Sequence, residues 1–240
     1  MLSQIENRPA WSPLSFSLPF REGEGVGSKA KVLAWMFCGF HGFLYFCRRY
    51  RVVMGLGYYI YRCWCRLCRI GHSRGFGIQS PLAYQLVTDV LCQRNPYYLY
   101  DDLKSLCPQL RGTRLRICQM LLRLSNAQQS ATTYVDDHLP KEYMAFVKAG
   151  NRKSRFVDSP DGSSFILLSA DHQGDIERIL ESAHEATILF LDKIYGCRDA
   201  VERWKTVVGH PRVSMSFDLF DCGVAVLAHS LQKANYKLNL

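Results

Sequence analysis

The chain has 240 residues, 48% of them hydrophobic and 21% charged, which is enough for one substantial core with extensions and too apolar for a disordered protein. Its net charge of +9 is unevenly spread: residues 1–80 hold eleven Lys/Arg against three Glu, and the rest of the chain holds 19 basic against 18 acidic groups. The basic excess belongs to the N-terminal third, so net charge gives no ground for a nucleic-acid partner, and ten cysteines without a clear cleavable secretory signal read as mostly reduced thiols of a cytoplasmic protein.

Residues 1–28 are polar, rich in Pro, Gly and Ser and without periodicity, which predicts disorder. Residues 32–47 form a sixteen-residue apolar and aromatic run between Lys29 and Lys31 on one side and Arg48, Arg49 and Arg51 on the other. A spanning helix takes roughly 20 such residues, so the run predicts at most a weak membrane association of residues 32–51, as a tilted or interfacial helix. The competing reading treats residues 1–53 as an extension ahead of a start at Met54. The chain then divides into this extension, a helical region over 54–112 and an α/β domain over 113–240.

A basic, aromatic helix is expected over residues 57–70. Cys63, Cys65, Cys68 and His72 have ligand chemistry for zinc, but at roughly 100° per residue the cysteines spread around the helix, and no second Cys pair completes the set; no metal is predicted. Ser80 is placed to N-cap the next helix with Pro81 at its first position, and Leu82, Leu86, Val87, Val90 and Leu91 form its expected inner face. Tyr97, Tyr98 and Tyr100 follow in a loop, where packing between helices is the expected role and stacking on a ligand the alternative.

A helix over 114–124 turns Leu115, Cys118, Leu121 and Leu122 inward and leads to a first strand at 131–136. Residues 139–149 read as helix, 154–157 as extended, 165–169 as a strand, and 175–183 as a helix burying Ile176, Ile179, Leu180 and Ala183. Only seven residues separate the extended segments 154–157 and 165–169. A parallel crossover takes a dozen or more, and Pro160-Asp161-Gly162 is a turn signal, so these two segments are expected to pair as an antiparallel hairpin.

Residues 186–191 are nearly unbroken apolar sequence, as in a parallel strand covered on both faces, and they stop at a carboxylate, Asp192. The helix that follows carries Ala200, Val201, Trp204, Val207 and Val208 in one stripe, and Gly209 and Pro211 end it. Val213, Met215, Phe217 and Leu219 alternate with polar residues, and the run from Val224 to Leu227 begins a partner strand, giving a closing hairpin. This order of elements predicts a doubly wound, mostly parallel α/β sheet with a C-terminal antiparallel hairpin, in which ligands bind outside the carboxyl ends of the strands.

Two blocks carry a resemblance. Leu191-Asp192-Lys193-Ile194-Tyr195, Trp204, His210-Pro211-Arg212-Val213, Asp218-Leu219-Phe220 and Gly223-Val224 resemble the C-terminal end of a bacterial family of class I S-adenosylmethionine-dependent methyltransferases. Gly77-Ile78-Gln79-Ser80-Pro81 resembles that family's N-terminal His-Gly-Val/Ile-His-Ser-Pro signature, with Phe76 and Gln79 standing where the family has histidines. The resemblance implies a Rossmann-like methyltransferase sheet, S-adenosylmethionine as cofactor and a small-molecule methyl acceptor.

Measured against that pattern, the cofactor motif is degenerate. The family's first strand runs into a glycine-rich turn that lets the methionine part of the cofactor approach the backbone, whereas this chain has Asp136-Asp137-His138-Leu139-Pro140-Lys141 and no glycine between Gly112 and Gly150. The short link over 158–164 leaves no room for the family's third strand, so the sheet is expected to be truncated.

What the resemblance implies for cofactor binding rests on Asp136, Asp137 and Asp158, the last standing where the family binds the ribose hydroxyls. Asp171, His172 and Asp192 are the candidate catalytic residues. Ala170-Asp171-His172 resembles the family's Asp-Gly/Ala-Asn-His run, and Asp192 matches the first residue of an Asp-Asp pair. Lys193 replaces the second, and its ammonium opposes a divalent cation there. The plainer reading has Asp171 and Asp192 capping loops and solvating the sheet edge. Asp136-Asp137-His138 has the composition of a general acid/base set, with a solvated loop as the plainer alternative. The readings that follow are a methyltransferase-family protein with impaired or lost activity, a non-catalytic binding or scaffold protein on the same fold, or a membrane-peripheral protein.

Overall fold

The computed structural model describes residues 54–70, 77–228 and 231–240. The expectations for residues 1–53, including disorder and membrane association, and for His72 and Phe76 lie outside the described residues. Residues 58–240 form one compact unit. Among the described residues no helix is long and apolar enough to cross a membrane.

The helices are α1 (Met54–Cys68), α2 (Pro81–Gln85), α3 (Tyr100–Leu106), α4 (Gly112–Gln128), α5 (Lys141–Gly150), α6 (Ile176–Ser182) and α7 (Arg198–Gly209). The strands are β1 (Thr132–Val135), β2 (Arg155–Val157), β3 (Phe165–Leu168), β4 (Ile188–Asp192), β5 (Val213–Asp218), β6 (Cys222–Leu227) and β7 (Ala234–Lys237). All seven join one sheet in the order β2-β1-β3-β4-β6-β5-β7. The pairs β1–β2, β1–β3, β3–β4 and β5–β7 are parallel, and β6 runs antiparallel to both β4 and β5. The predicted α/β sheet and its C-terminal hairpin are therefore present.

Alternation along the strands divides the core into two layers. Phe165, Leu167, Ile188, Phe190, Met215, Phe217 and Val224 face helices α2 to α5, whereas Ile166, Leu168, Leu189, Leu191, Val213 and Ala225 face α6 and α7. Helices cover both sides, which is why β3 and β4 are buried at every residue and read as unbroken apolar runs. Trp204 of α7 lies flat on β6 because Gly223 has no Cβ; one built there would sit 2.6 Å from the indole.

Three expectations are corrected. Residues 154–157 and 165–169 do not pair with each other: Phe156 and Phe165 flank Thr133 on opposite sides, and both strands are parallel to β1. The expected turn forms, with the Ser163 amide donating to the Pro160 carbonyl at 3.1 Å and Gly162 at φ +71°, but it carries the chain outside the sheet. Strand β2 is only three residues long, so the return path is about 10 Å back and about 10 Å across, within the reach of seven residues at roughly 3.3 Å each. The dozen-residue rule fails because it assumes full-length strands.

Leu82 is the second correction, being 48% exposed, whereas Ala83, Val87 and Leu91 are fully buried. Ser80 caps α2 as expected, accepting the Ala83 amide, but the helix widens into a π-helical segment over Leu86–Leu91, closed by the Cys92 amide on the Val87 carbonyl at 2.8 Å. That one-residue widening rotates the inner face relative to an ideal α-helix. Third, Asp192 is buried and does not solvate an edge.

Two features had no counterpart in the sequence reading. Strand β7 extends the sheet beside β5, its pattern too short and too exposed to stand out. The arginines of α1 and its C-terminal turn clamp the β5–β6 hairpin: Arg62 donates to Asp221 at 2.7 Å and to Thr113 at 2.6 Å, and buried Arg69 forms a fork on Asp218 at 2.9 and 3.0 Å. Tyr195 donates to the same carboxylate at 2.6 Å. Arg62, Arg66 and Arg69 stand at i, i+4 and i+7, one helix face, and that spacing was the available signal.

Candidate functional site

Strands β1, β3 and β4 end side by side at one edge of the sheet, and most of the sequence-derived candidates gather there. Asp136 follows β1, with its amide donating to the Leu167 carbonyl of β3 at 3.0 Å, so the register of this parallel pair places it beside Ser169 and His172. The carboxylate is 3% exposed. Its Oδ1 accepts the His138 amide and the His138 Nδ1–H, both at 3.0 Å. Its Oδ2 accepts the Ser169 amide at 3.3 Å and the His172 Nδ1–H at 2.7 Å. A carboxylate only accepts, so each imidazole carries its proton on Nδ1.

Burial by itself raises the Asp136 carboxyl, but the His138 amide and imidazole, the Ser169 amide and the charge of His172 outweigh it and hold the group below the ordinary carboxylate range. The same bond raises the His138 imidazole above its usual value. The two histidines differ in freedom: the His138 side chain is 57% exposed, and that of His172 is 15% exposed. A Cβ built on Gly174 would lie 2.3 Å from His172 Nε2. The second nitrogen of His172 therefore occupies the space that a Cβ at position 174 would take, so a larger residue there requires the imidazole to shift.

Asp192 ends β4 and forms a separate center. It is 3% exposed, Tyr143 of α5 donates to its Oδ1 at 3.2 Å, and Cys222 is its cross-strand neighbour. Burial pushes the Asp192 carboxyl up, opposed by Lys193 and by the Tyr143 bond. Burial also raises the Tyr143 phenol, with the Asp192 charge adding to it, and raises the Cys222 thiol. Lys193 holds φ +50°, its amide donating to the Asp221 carbonyl at 2.8 Å. Tyr143 escaped the sequence reading because its position in α5 gives no hint that it reaches β4.

Asp137, Asp158 and Asp171 are exposed. Asp158 directly follows β2, and the parallel β1–β2 register puts it at the same sheet edge as Asp136; Asp171 is held by its amide on Ser169 Oγ at 3.3 Å. The structure thus joins Asp136 to His138 and His172, and sets Asp192 with Tyr143. Among the described residues, no group of three or more His, Cys, Asp or Glu is arranged to hold a metal ion.

The first turn does not fit the methionine part of S-adenosylmethionine. Both oxygens of Asp136 are already engaged by four donors of the chain itself. Leu139 fills the turn with a buried side chain, its amide closing on the Asp136 carbonyl at 3.0 Å. No glycine opens the backbone between Asp136 and Lys141, so the turn lacks the close backbone approach that glycine permits.

No family model matches the chain, and a search of curated proteins found no relative. Among solved structures, one similar to it is the O-methyltransferase from Bacillus cereus in complex with SAH: 13% identity, 61% of this chain and 97% of that chain covered, TM-score 0.40. At that identity and TM-score, nothing about activity passes from that enzyme to this chain.

Proposed function

We propose that this chain is a protein of the class I methyltransferase type that has lost S-adenosylmethionine-dependent transfer and retains the fold as a non-catalytic binding scaffold. The observation that carries this reading is the Asp136 carboxylate, saturated by His138, Ser169 and His172 where a cofactor would need the turn open. In such an arrangement Asp136 acts as a tie between the loops after β1 and β3, and His172 is a strut between Asp136 and Gly174. Asp158 remains the residue suited to ribose hydroxyls, and Asp137 and Asp171 are solvated loop carboxylates.

The Asp136–His172 pair is not arranged for acid/base work. Proton transfer to a substrate needs the free imidazole nitrogen within reach of the reacting group, and the His172 side chain is only 15% exposed, with Nε2 beside Gly174. Asp192 is equally enclosed, under Tyr143 and beside Cys222.

Equilibrium dialysis of the full chain against radiolabelled S-adenosylmethionine tests the proposal. Retention no greater than that of an unrelated protein is expected. Saturable retention, displaced by unlabelled S-adenosylhomocysteine, would overturn it.

A further inference from the structure

We infer that the cavity framed by the π-helical segment, α3 and α4 is a binding site for a small anion that carries a planar ring, of the nucleotide type. The cavity has a volume of 430 Å³, inside the roughly 300–1,000 Å³ range of small-molecule sites and larger than a bare phosphate requires. Arg94, Lys104, Arg116 and Arg123 line it against Asp101 and the terminal oxygens of Leu240, the final residue of the chain. None of its residues belongs to the Asp136 or Asp192 centers.

Four cations against Asp101 and the end of Leu240 leave this wall net positive. The ion pairs of arginine among the described residues are Arg62 and Arg66 with Asp221, Arg69 with Asp218, Arg178 with Asp161, and Arg198 with Glu202; none involves a cation of the cavity. The cluster also lies in the part of the chain where basic and acidic groups nearly balance, 19 against 18, so it is a local concentration. Like charges gathered around one concavity repel one another and focus a field that an anion relieves.

The four cations are also differently held. Arg123 is fixed by neutral acceptors, its Nε on the Val90 carbonyl at 2.6 Å and its terminal nitrogens on Leu91 and Tyr100, so it is positioned without losing charge. Arg116 donates to a terminal oxygen of Leu240, the final residue, at 3.4 Å. Arg94 and Lys104 are exposed, which leaves them free to close over a phosphate. Tyr97 and Tyr100 line the same space, their rings 5.8 Å apart and inclined at 44°, and aromatic rings of this kind are platforms for a planar base. S-adenosylmethionine, whose sulfonium and ammonium outweigh its carboxylate, has the wrong charge for this wall.

Calorimetric titration of the full chain with ADP and with pyrophosphate tests the site. Both are expected to bind, ADP more tightly. The exposed pair Arg94→Glu with Lys104→Glu should weaken both by about tenfold or more, and Arg116→Gln gives an independent check should that pair disturb the fold, which thermal melting reports. Tyr97→Leu should weaken ADP by about fivefold or more and leave pyrophosphate unchanged. No binding of either probe, or binding that these charge changes leave intact, would overturn the site. Equal affinity for the two probes would overturn the ring component. S-adenosylhomocysteine binding that persists in the charge variants would count against the proposed function alone.

Discussion

Asp136 shows how one residue can be both buried and charged. Each of its oxygens takes two donors, so the desolvation of the carboxylate is offset by charge-assisted hydrogen bonds. Asp136→Asn should destabilise the protein by about 1–3 kcal/mol, because an amide nitrogen would face donors; urea unfolding measures it. The pH dependence has two limbs. The folded Asp136 lies below its ordinary value of 3.8, so its contribution is present above that value and lost as pH falls through the folded one. The folded His138 lies above its ordinary 6.5, so its contribution is complete below 6.5 and lost as pH rises through the raised value. The stability difference between wild type and Asp136→Asn should therefore be greatest between these limits and shrink on both sides.

Asp192 has the opposite sign. Its folded carboxyl is raised by burial, so at neutral pH its charge opposes folding, and the opposition fades as pH falls toward its unfolded value. Asp192→Asn keeps an acceptor for Tyr143 and removes the charge; a higher urea midpoint at pH 7 is expected, and a lower one would contradict the assignment.

Among the elements, the clamp of α1 on the closing hairpin is the most exposed to test. Arg69 is buried and shares Asp218 with Tyr195. Arg69→Met keeps much of the side-chain volume but leaves the carboxylate short of its cation, which should cost about 3–5 kcal/mol by chemical denaturation. The closing hairpin itself was legible in the sequence because Val213 to Leu219 alternate strictly and the run from Val224 to Leu227 is apolar. The pairing of β2 and β3 was not, because loop length discriminates parallel from antiparallel only when strands are long, and β2 has three residues. The π-helical segment was illegible for a different reason: widening by one residue leaves no mark in the apolar pattern.

For the molecule as a whole, sequence located the sheet, its flanking helices and the edge where the candidate residues gather, since apolar periodicity reports which faces are covered. All six candidates, Asp136, Asp137, Asp158, Asp171, His172 and Asp192, lie at or near that edge. What sequence could not give was their mutual engagement. His172 stands 36 residues from Asp136, and only the parallel β1–β3 register brings the two together. That engagement occupies both oxygens of Asp136 with donors of the chain itself.

Thermal unfolding of the full chain with and without saturating S-adenosylhomocysteine tests this most directly. A ligand at 100 times its dissociation constant adds about 2.7 kcal/mol to stability, which for a protein of this size raises Tm by roughly 5–10 °C. The account expects no shift; a reproducible rise that saturates with ligand would contradict it.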